Sequence, residues 1–193
     1  MQSRRSAAFL LGGEISVNRI AFGAMRLPTN GFRGPSRDPA TGRAVLRRAV
    51  ELGVTLIDTA DFYRSGDGTV RANTLIHEAL SPYPSDLVIA TKVGPVFLPD
   101  GSFTHGKGAD MRKLVEENLQ SLGLDCLDLV YLRIGLMEVP HGESLAERFE
   151  ALAALCEEGL IRHFGISNID IDHLEEARSI APVAAVQNNF HIA

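Results

Sequence analysis

Val54-Thr55-Leu56-Ile57-Asp58-Thr59-Ala60-Asp61-Phe62-Tyr63 is the stretch on which the reading of this chain turns. It is a short, β-branched apolar run that ends in a carboxylate, with a phenol five residues further on. Such a run suits a strand buried on both faces. Asp58 then stands at the carboxyl end of that strand, where parallel α/β folds place their chemistry. Taken alone, Asp58 reads equally well as the cap of the next turn. The behaviour of the other strand ends decides between the two.

Working outward, apolar runs alternate with segments of helical spacing. Phe9–Leu11 and Ile15–Val17 flank Gly12-Gly13 and predict a small hairpin. Ile20–Met25 predicts a short strand, and the Gly- and Pro-rich residues 28–42 a long loop. Helices are expected over Ala44–Leu52, with Val45, Ala49 and Leu52 inward, over Thr74–Leu80 and over Met111–Leu122. A helix over Leu145–Glu158 would carry a Ser144/Glu147 capping box, and a later one would be capped by Asp172 and Glu175. Between them lie strands Val54–Asp58, Leu87–Thr91, Leu127–Leu132, Arg162–Ile166 and Val183–Val186. Loops are expected over 94–108 and 134–143. Repeated strand–helix alternation is the signature of a parallel sheet with helices outside it.

These strands end at Asp58, Lys92, Arg133, Ser167-Asn168 and Gln187-Asn188. Polar groups on apolar strands are costly to bury unless they are paired or functional. Five strands that each deliver one at the same end point to a shared polar pocket. Within it Asp58, Lys92 and Tyr63 form a coherent chemical set. A Lys paired with an Asp stays cationic, and a nearby cation lowers a phenol's pKa from ~10, making Tyr63 a usable general acid. Two other readings of Lys92 stand beside this: a Schiff-base nucleophile, and one half of a buried Asp–Lys pair that only ties strands together.

Five ordered segments resemble the aldo-keto reductases. Leu56–Tyr63 is similar to that family's Asp-Thr-Ala-x-x-Tyr signature. Ile20–Met25 resembles its opening strand, Ile89–Lys92 the strand of the catalytic Lys, Gly165–Asn168 its Ser-Asn segment, and Val186–Asn188 its Gln-Asn strand. The resemblance implies an α/β fold of the (β/α)8 TIM-barrel type, with an N-terminal hairpin over the barrel bottom. It implies reduction of an aldehyde or ketone by NADPH, with NADH as the open alternative. Tyr63 would protonate the carbonyl oxygen, and Asp58 would hold Lys92. Ser167, Asn168 and Gln187 would hold the nicotinamide carboxamide, and Gly23 and Met25 belong to the same cofactor seat.

One position departs from the family. Arg133 stands where most members carry His. Arg cannot shuttle protons, but it can donate to a carbonyl oxygen. An Arg here resembles the branch that includes bacterial pyridoxal reductases, so pyridoxal is the suggested small-molecule substrate. His105 and His141 fall in predicted loops and read as solvated side chains.

The chain has 193 residues, 45% hydrophobic and 22% charged, which fits one domain over residues 1–193. Six strands can be counted, against eight and ~250 residues for a closed barrel, so the expectation is a domain truncated at its C-terminus. A catalytically impaired fragment and a nicotinamide-binding regulatory module are the alternatives that follow. The net charge of −5, without a basic stripe, argues against nucleic-acid binding. Ser3–Leu11 is too short in apolar residues for an export signal, and no run approaches a membrane span. Cys126 and Cys156 lack metal-ligand spacing, so no metal site is expected, and two thiols suit a cytoplasmic protein. The sequence leaves the oligomeric state open.

Overall fold

The computed structural model describes residues 8–31, 33–98, 100, 102–135 and 142–189. Arg4-Arg5 of the export-like stretch, His141 and the last residues to Ala193 lie outside them. The chain forms two compact units, Met1–Ala90 with Ser121–Gly123, and Thr91–Gln120 with Leu124–Ala193.

The first unit opens with strands β1 (Phe9–Leu11) and β2 (Ile15–Val17), paired antiparallel with Leu11 opposite Ile15. Gly12 and Gly13 make the turn at φ 58° and 80°, a region glycine enters without steric cost. Then come β3 (Phe22–Gly23), α1 (Pro39–Glu51), β4 (Leu56–Asp58), α2 (Ala72–Leu80) and β5 (Val88–Val93). β3, β4 and the start of β5 run parallel, with Gly23 opposite Asp58 and Asp58 opposite Ala90. Ile15 and Val17 pack on Val88, with Leu11 and Leu56 against them. The hairpin therefore covers the amino ends of β4 and β5, as expected of a bottom plug.

Three expectations change in this unit. The opening strand is only Phe22–Gly23, because Ala24–Arg26 turn into a 3-10 helix that carries Met25. α1 starts five residues earlier than the sequence suggests, inside the expected loop. Asp38 caps it by accepting from the Ala40 and Thr41 N–H groups at 3.1 and 3.0 Å, and Pro39 takes the first helical position, where its missing N–H costs nothing. Its buried face is Gly42, Leu46 and Ala49, while Val45 and Leu52 are exposed.

The second unit takes up β5 at Thr91 and continues with β6 (Pro95–Phe97), β7 (Phe103–His105), α3 (Gly108–Leu122), β8 (Leu127–Arg133), α4 (Ala146–Glu157), β9 (Ile161–Ser167), α5 (Ile171–Ile180) and β10 (Val186–Gln187). The strand order is β5-β8-β9-β10. The pairings of β9 with β8 and with β10 are both parallel, with Arg133 opposite Ser167 and Ser167 opposite Gln187. β6 and β7 form an antiparallel hairpin inside the expected 94–108 loop. The core centres on Leu129, Leu132, Leu152 and Ile166, with Phe149 and Phe164 edge to face at 4.9 Å. Met111, Val115, Leu119 and Leu122 form the buried stripe of α3 that their spacing predicts.

Both predicted capping boxes are replaced. Leu145 N–H donates to Glu176 Oε2 of α5 at 2.9 Å, and the Ser144 hydroxyl donates to the other oxygen of the same carboxylate. A carboxylate from the next helix thus does what Glu147 was expected to do. α5 is capped by Asp170, which accepts from His173 N–H at 3.0 Å, rather than by Asp172.

Candidate active site

In the first unit the decisive carboxylate, Asp58, is half-buried at the carboxyl end of β4. The residue after it faces away from the strand end into α2. Thr59 donates through Oγ1 to Asn73 Oδ1 at 2.8 Å, and Asn73 Nδ2 donates to Ser121 Oγ at 3.0 Å. Thr59 N–H also donates to Ala90 O at 2.8 Å, extending the β4–β5 ladder past Asp58. Thr59 and Asn73 are wholly buried, so these bonds stand in for lost water and fix where the strand ends.

Tyr63 is 8% exposed. Its N–H donates to Ala60 O at 3.0 Å and its carbonyl accepts from Ala72 N–H at 2.9 Å, so the backbone is tied on both sides of the phenol. Its ring meets Phe62 edge to face at 5.1 Å. Gly23, the register partner of Asp58, has open space where a Cβ would stand. Met25 is 39% exposed on the turn beyond it.

In the second unit Lys92 is buried on β5, inside the strand rather than after it. Its neighbour Thr91 repeats the Thr59 device. Thr91 Oγ1 donates to Asn118 Oδ1 of α3 at 2.6 Å, and Asn118 Nδ2 donates to Leu114 O at 2.8 Å. Alternation along a strand sends Thr91 to the helix side and Lys92 to the opposite face.

Arg133 closes β8, and its Nη1 donates to Ser167 Oγ at 3.3 Å. Ser167 is fully buried. Asn168 sits in the left-handed region at φ 62°, which Asn tolerates better than most side chains. Its Nδ2 donates to Ile134 O at 2.7 Å, and its N–H donates to Gln187 O at 3.1 Å. Asn188, next in the chain, holds the Ile169 backbone from both sides, accepting its N–H at 3.0 Å and donating to its carbonyl at 2.8 Å. Arg133, Ser167, Asn168 and Gln187 are thus brought together at the carboxyl ends of β8, β9 and β10.

The Thr59–Asn73 and Thr91–Asn118 pairs escape sequence reading because their partners are 14 and 27 residues away. A Thr beside the key residue of an apolar strand is the signal that could have found them. Cys126 and Cys156 are free thiols, and burial pushes both above the ordinary thiol range. Among the described residues no group of three or more His, Cys, Asp or Glu side chains is placed to hold a metal, and no helix is long and apolar enough to cross a membrane.

Parallel strands that deliver polar side chains at their carboxyl ends form a β/α scaffold, and comparison with known proteins specifies it. The sequence profile of the Aldo/keto reductase family matches residues 19–193. The chain belongs to the aldo/keto reductase family. It is 43% identical over 192 residues to pyridoxine 4-dehydrogenase of Escherichia coli strain K12, covering 97% of this chain and 65% of that protein. It is 37% identical over 182 residues to an uncharacterised oxidoreductase of Schizosaccharomyces pombe, covering 93% and 56%. The chain therefore spans somewhat less than two thirds of these curated relatives. Among solved structures, the holo form of an aldo-keto reductase from Bacillus halodurans superposes with a TM-score of 0.77 at 27% identity, covering 95% of this chain and 57% of that one. The glycerol dehydrogenase of Gluconobacter oxydans gives a TM-score of 0.80 at 24% identity, covering 96% and 55%, a likeness of fold. The α/β fold with parallel strands is that of the (β/α)8 aldo-keto reductases.

Proposed function

We propose that the chain carries the catalytic half of a cytoplasmic, NADPH-dependent carbonyl reductase whose substrate is a small aldehyde or ketone of the pyridoxal class. The observation that carries this reading is the set of functional groups at the strand ends: Asp58, Lys92, Arg133, Ser167 and Gln187. A pyridoxal-type substrate is supported by the 43% identity to pyridoxine 4-dehydrogenase.

The donor set suits a nicotinamide. A carboxamide needs both donors and acceptors, and Ser167, Asn168 and Gln187 offer a hydroxyl and two amides. The open space at Gly23 leaves room for a flat ring. When bound, the nicotinamide supplies the hydride. Tyr63 gives its phenolic proton to the carbonyl oxygen. Lys92 would supply the cation that favours loss of that proton. Arg133 donates to the same oxygen as negative charge builds on it. Ser167, Asn168 and Gln187 orient the carboxamide, with the Asn168 side chain held in place by its Nδ2 bond to Ile134 O. Met25 borders the cofactor.

The deciding experiment is NADPH oxidation at 340 nm with pyridoxal and with simple aldehydes. Pyridoxal-dependent oxidation that Tyr63→Phe abolishes supports the reading. Absence of turnover with every carbonyl, alongside measurable NADPH binding, would leave a nicotinamide-binding module instead.

A further inference from the structure

His105 was expected to be a solvated loop side chain. It ends β7 instead, with its side chain 23% exposed. Its Nε2 lies 3.1 Å from the backbone nitrogen of Gly135, two residues beyond Arg133. A backbone N–H can only donate, so Nε2 is the acceptor and the ring proton sits on Nδ1. Gly135 is buried. Its N–H would be costly to leave unmatched, and His105 satisfies it.

Other contacts fix the same exit from β8. Ile134 N–H donates to Ser167 O at 3.0 Å, and Ile134 O accepts from Asn168 Nδ2 at 2.7 Å. Gly94 lies so close to Arg133 O that a Cβ there would overlap it. Gly106 N–H donates to Gly94 O at 2.7 Å, closing the base of the β6–β7 hairpin. The segment Arg133–Gly135 is thus held by β9 on one side and by the hairpin on the other. His105 is the side chain that makes the second attachment.

We propose that His105 is a positioning residue, fastening the β6–β7 hairpin to the end of β8 and so setting the placement of Arg133, and that it does so only as the neutral imidazole. An imidazolium carries N–H on both nitrogens and cannot accept from Gly135. Glu143 Oε2 stands 3.6 Å from Nδ1, too far for a hydrogen bond. Arg148 Nη2 lies 3.0 Å from the other oxygen of that carboxylate. The Phe103 ring lies 5.7 Å from the imidazole, and His173 Nε2 stands 3.0 Å from the Glu143 carbonyl oxygen. A protonated ring would therefore give up the Gly135 attachment and stand as a cation beside the Glu143 carboxylate. The consequence for Arg133 rests on the reductase reading; the attachment itself does not.

The test is amide hydrogen exchange at Gly135 in the 193-residue chain, followed by NMR with the His105 ring signals as the pH indicator. In wild type, Gly135 protection should fall as the ring protonates, beyond the intrinsic pH trend of exchange. His105→Ala should lower protection about tenfold at neutral pH. His105→Gln, whose amide oxygen can accept but does not titrate, should restore protection and abolish its pH dependence. Protection unchanged in His105→Ala, in a variant whose circular dichroism melt shows it folded, would overturn the proposal. So would protection in wild type that ignores the ring's titration. If His105→Ala does not fold, the contrast between wild type and His105→Gln decides alone. A chain that passes these tests yet reduces no carbonyl refutes the reductase reading and leaves the attachment intact.

Discussion

Arg133 Nη1 donates to Ser167 Oγ across the β8–β9 register, at 3.3 Å. The side chain that replaces the family's usual His is therefore linked to a residue expected to hold the cofactor. Its charge is permanent, so it can polarise but cannot relay a proton.

This link predicts coupling. Arg133→Ala should lower kcat/KM for the carbonyl substrate by about 10²-fold, the scale of losing one donor to a developing oxyanion. Arg133→Lys keeps the charge but loses the planar fork, and should recover only part of it. Ser167→Ala in the Arg133→Ala background should cost less than in wild type, because touching residues do not add. Steady-state kinetics over the four-member cycle measure this. Additive losses would show that the two act separately.

Tyr63→Phe removes one oxygen and leaves a ring that packs on Phe62 the same way. Turnover should fall roughly 10²–10⁴-fold while NADPH affinity stays near wild type. The chain has no tryptophan, so calorimetry is the better measure of binding. A Phe variant with wild-type turnover would remove Tyr63 from the acid role.

The Thr91–Asn118 pair gives a stability prediction. Both side chains are buried, at 0% and 1% exposure. Thr91→Val strips Asn118 Oδ1 of that donor and should cost ~1–3 kcal/mol in urea unfolding. Removing both polar groups with Thr91→Val and Asn118→Leu should cost less than the sum of the single changes. A Thr91→Val variant as stable as wild type would mean that water replaces the hydroxyl.

Glu176 carries a pH prediction. Burial raises its carboxyl, but the Leu145 N–H and Ser144 hydroxyl bonds, with the charges of His173 and Arg148, outweigh that and hold it below the ordinary value of 4.5. A depressed folded value stabilises the fold above the unfolded one, and the gain is lost as pH falls through the folded one. Acid melts should therefore show a decline starting below about pH 5 that Glu176→Gln blunts. At neutral pH the Gln variant should melt earlier than wild type, having lost the charge-assisted bonds at the start of α4.

The strand ends were legible because their signal is local: an apolar run followed by a polar residue. The Gly12-Gly13 hairpin was legible for the same reason. The start of α1 was also written locally, in Asp38-Pro39, but the surrounding Gly and Pro residues disguised a cap as more loop. The caps of α4 and α5 went wrong for two different reasons. At α5 the sequence offers acidic residues at both 170 and 172, and backbone geometry chooses Asp170. At α4 the carboxylate that wins is Glu176, 31 residues from Leu145, and no local pattern shows it. His105 failed similarly: a Gly- and Pro-rich stretch hid a hairpin, and its partner, Gly135, is 30 residues away.

Tyr83 takes the Leu122 carbonyl at the end of α3 through its hydroxyl at 2.6 Å, and His77 Nδ1 stands 3.0 Å from the same oxygen. Burial pushes the Tyr83 phenol up to about 12 from 10.0. The attachment therefore contributes fully below pH 10 and is lost as pH rises towards 12. Without tryptophan, the near-ultraviolet absorbance of this chain is dominated by three tyrosines. The part of a late phenolate step that Tyr83→Phe removes from an alkaline titration would thus be a label-free optical gauge of when the end of α3 comes away.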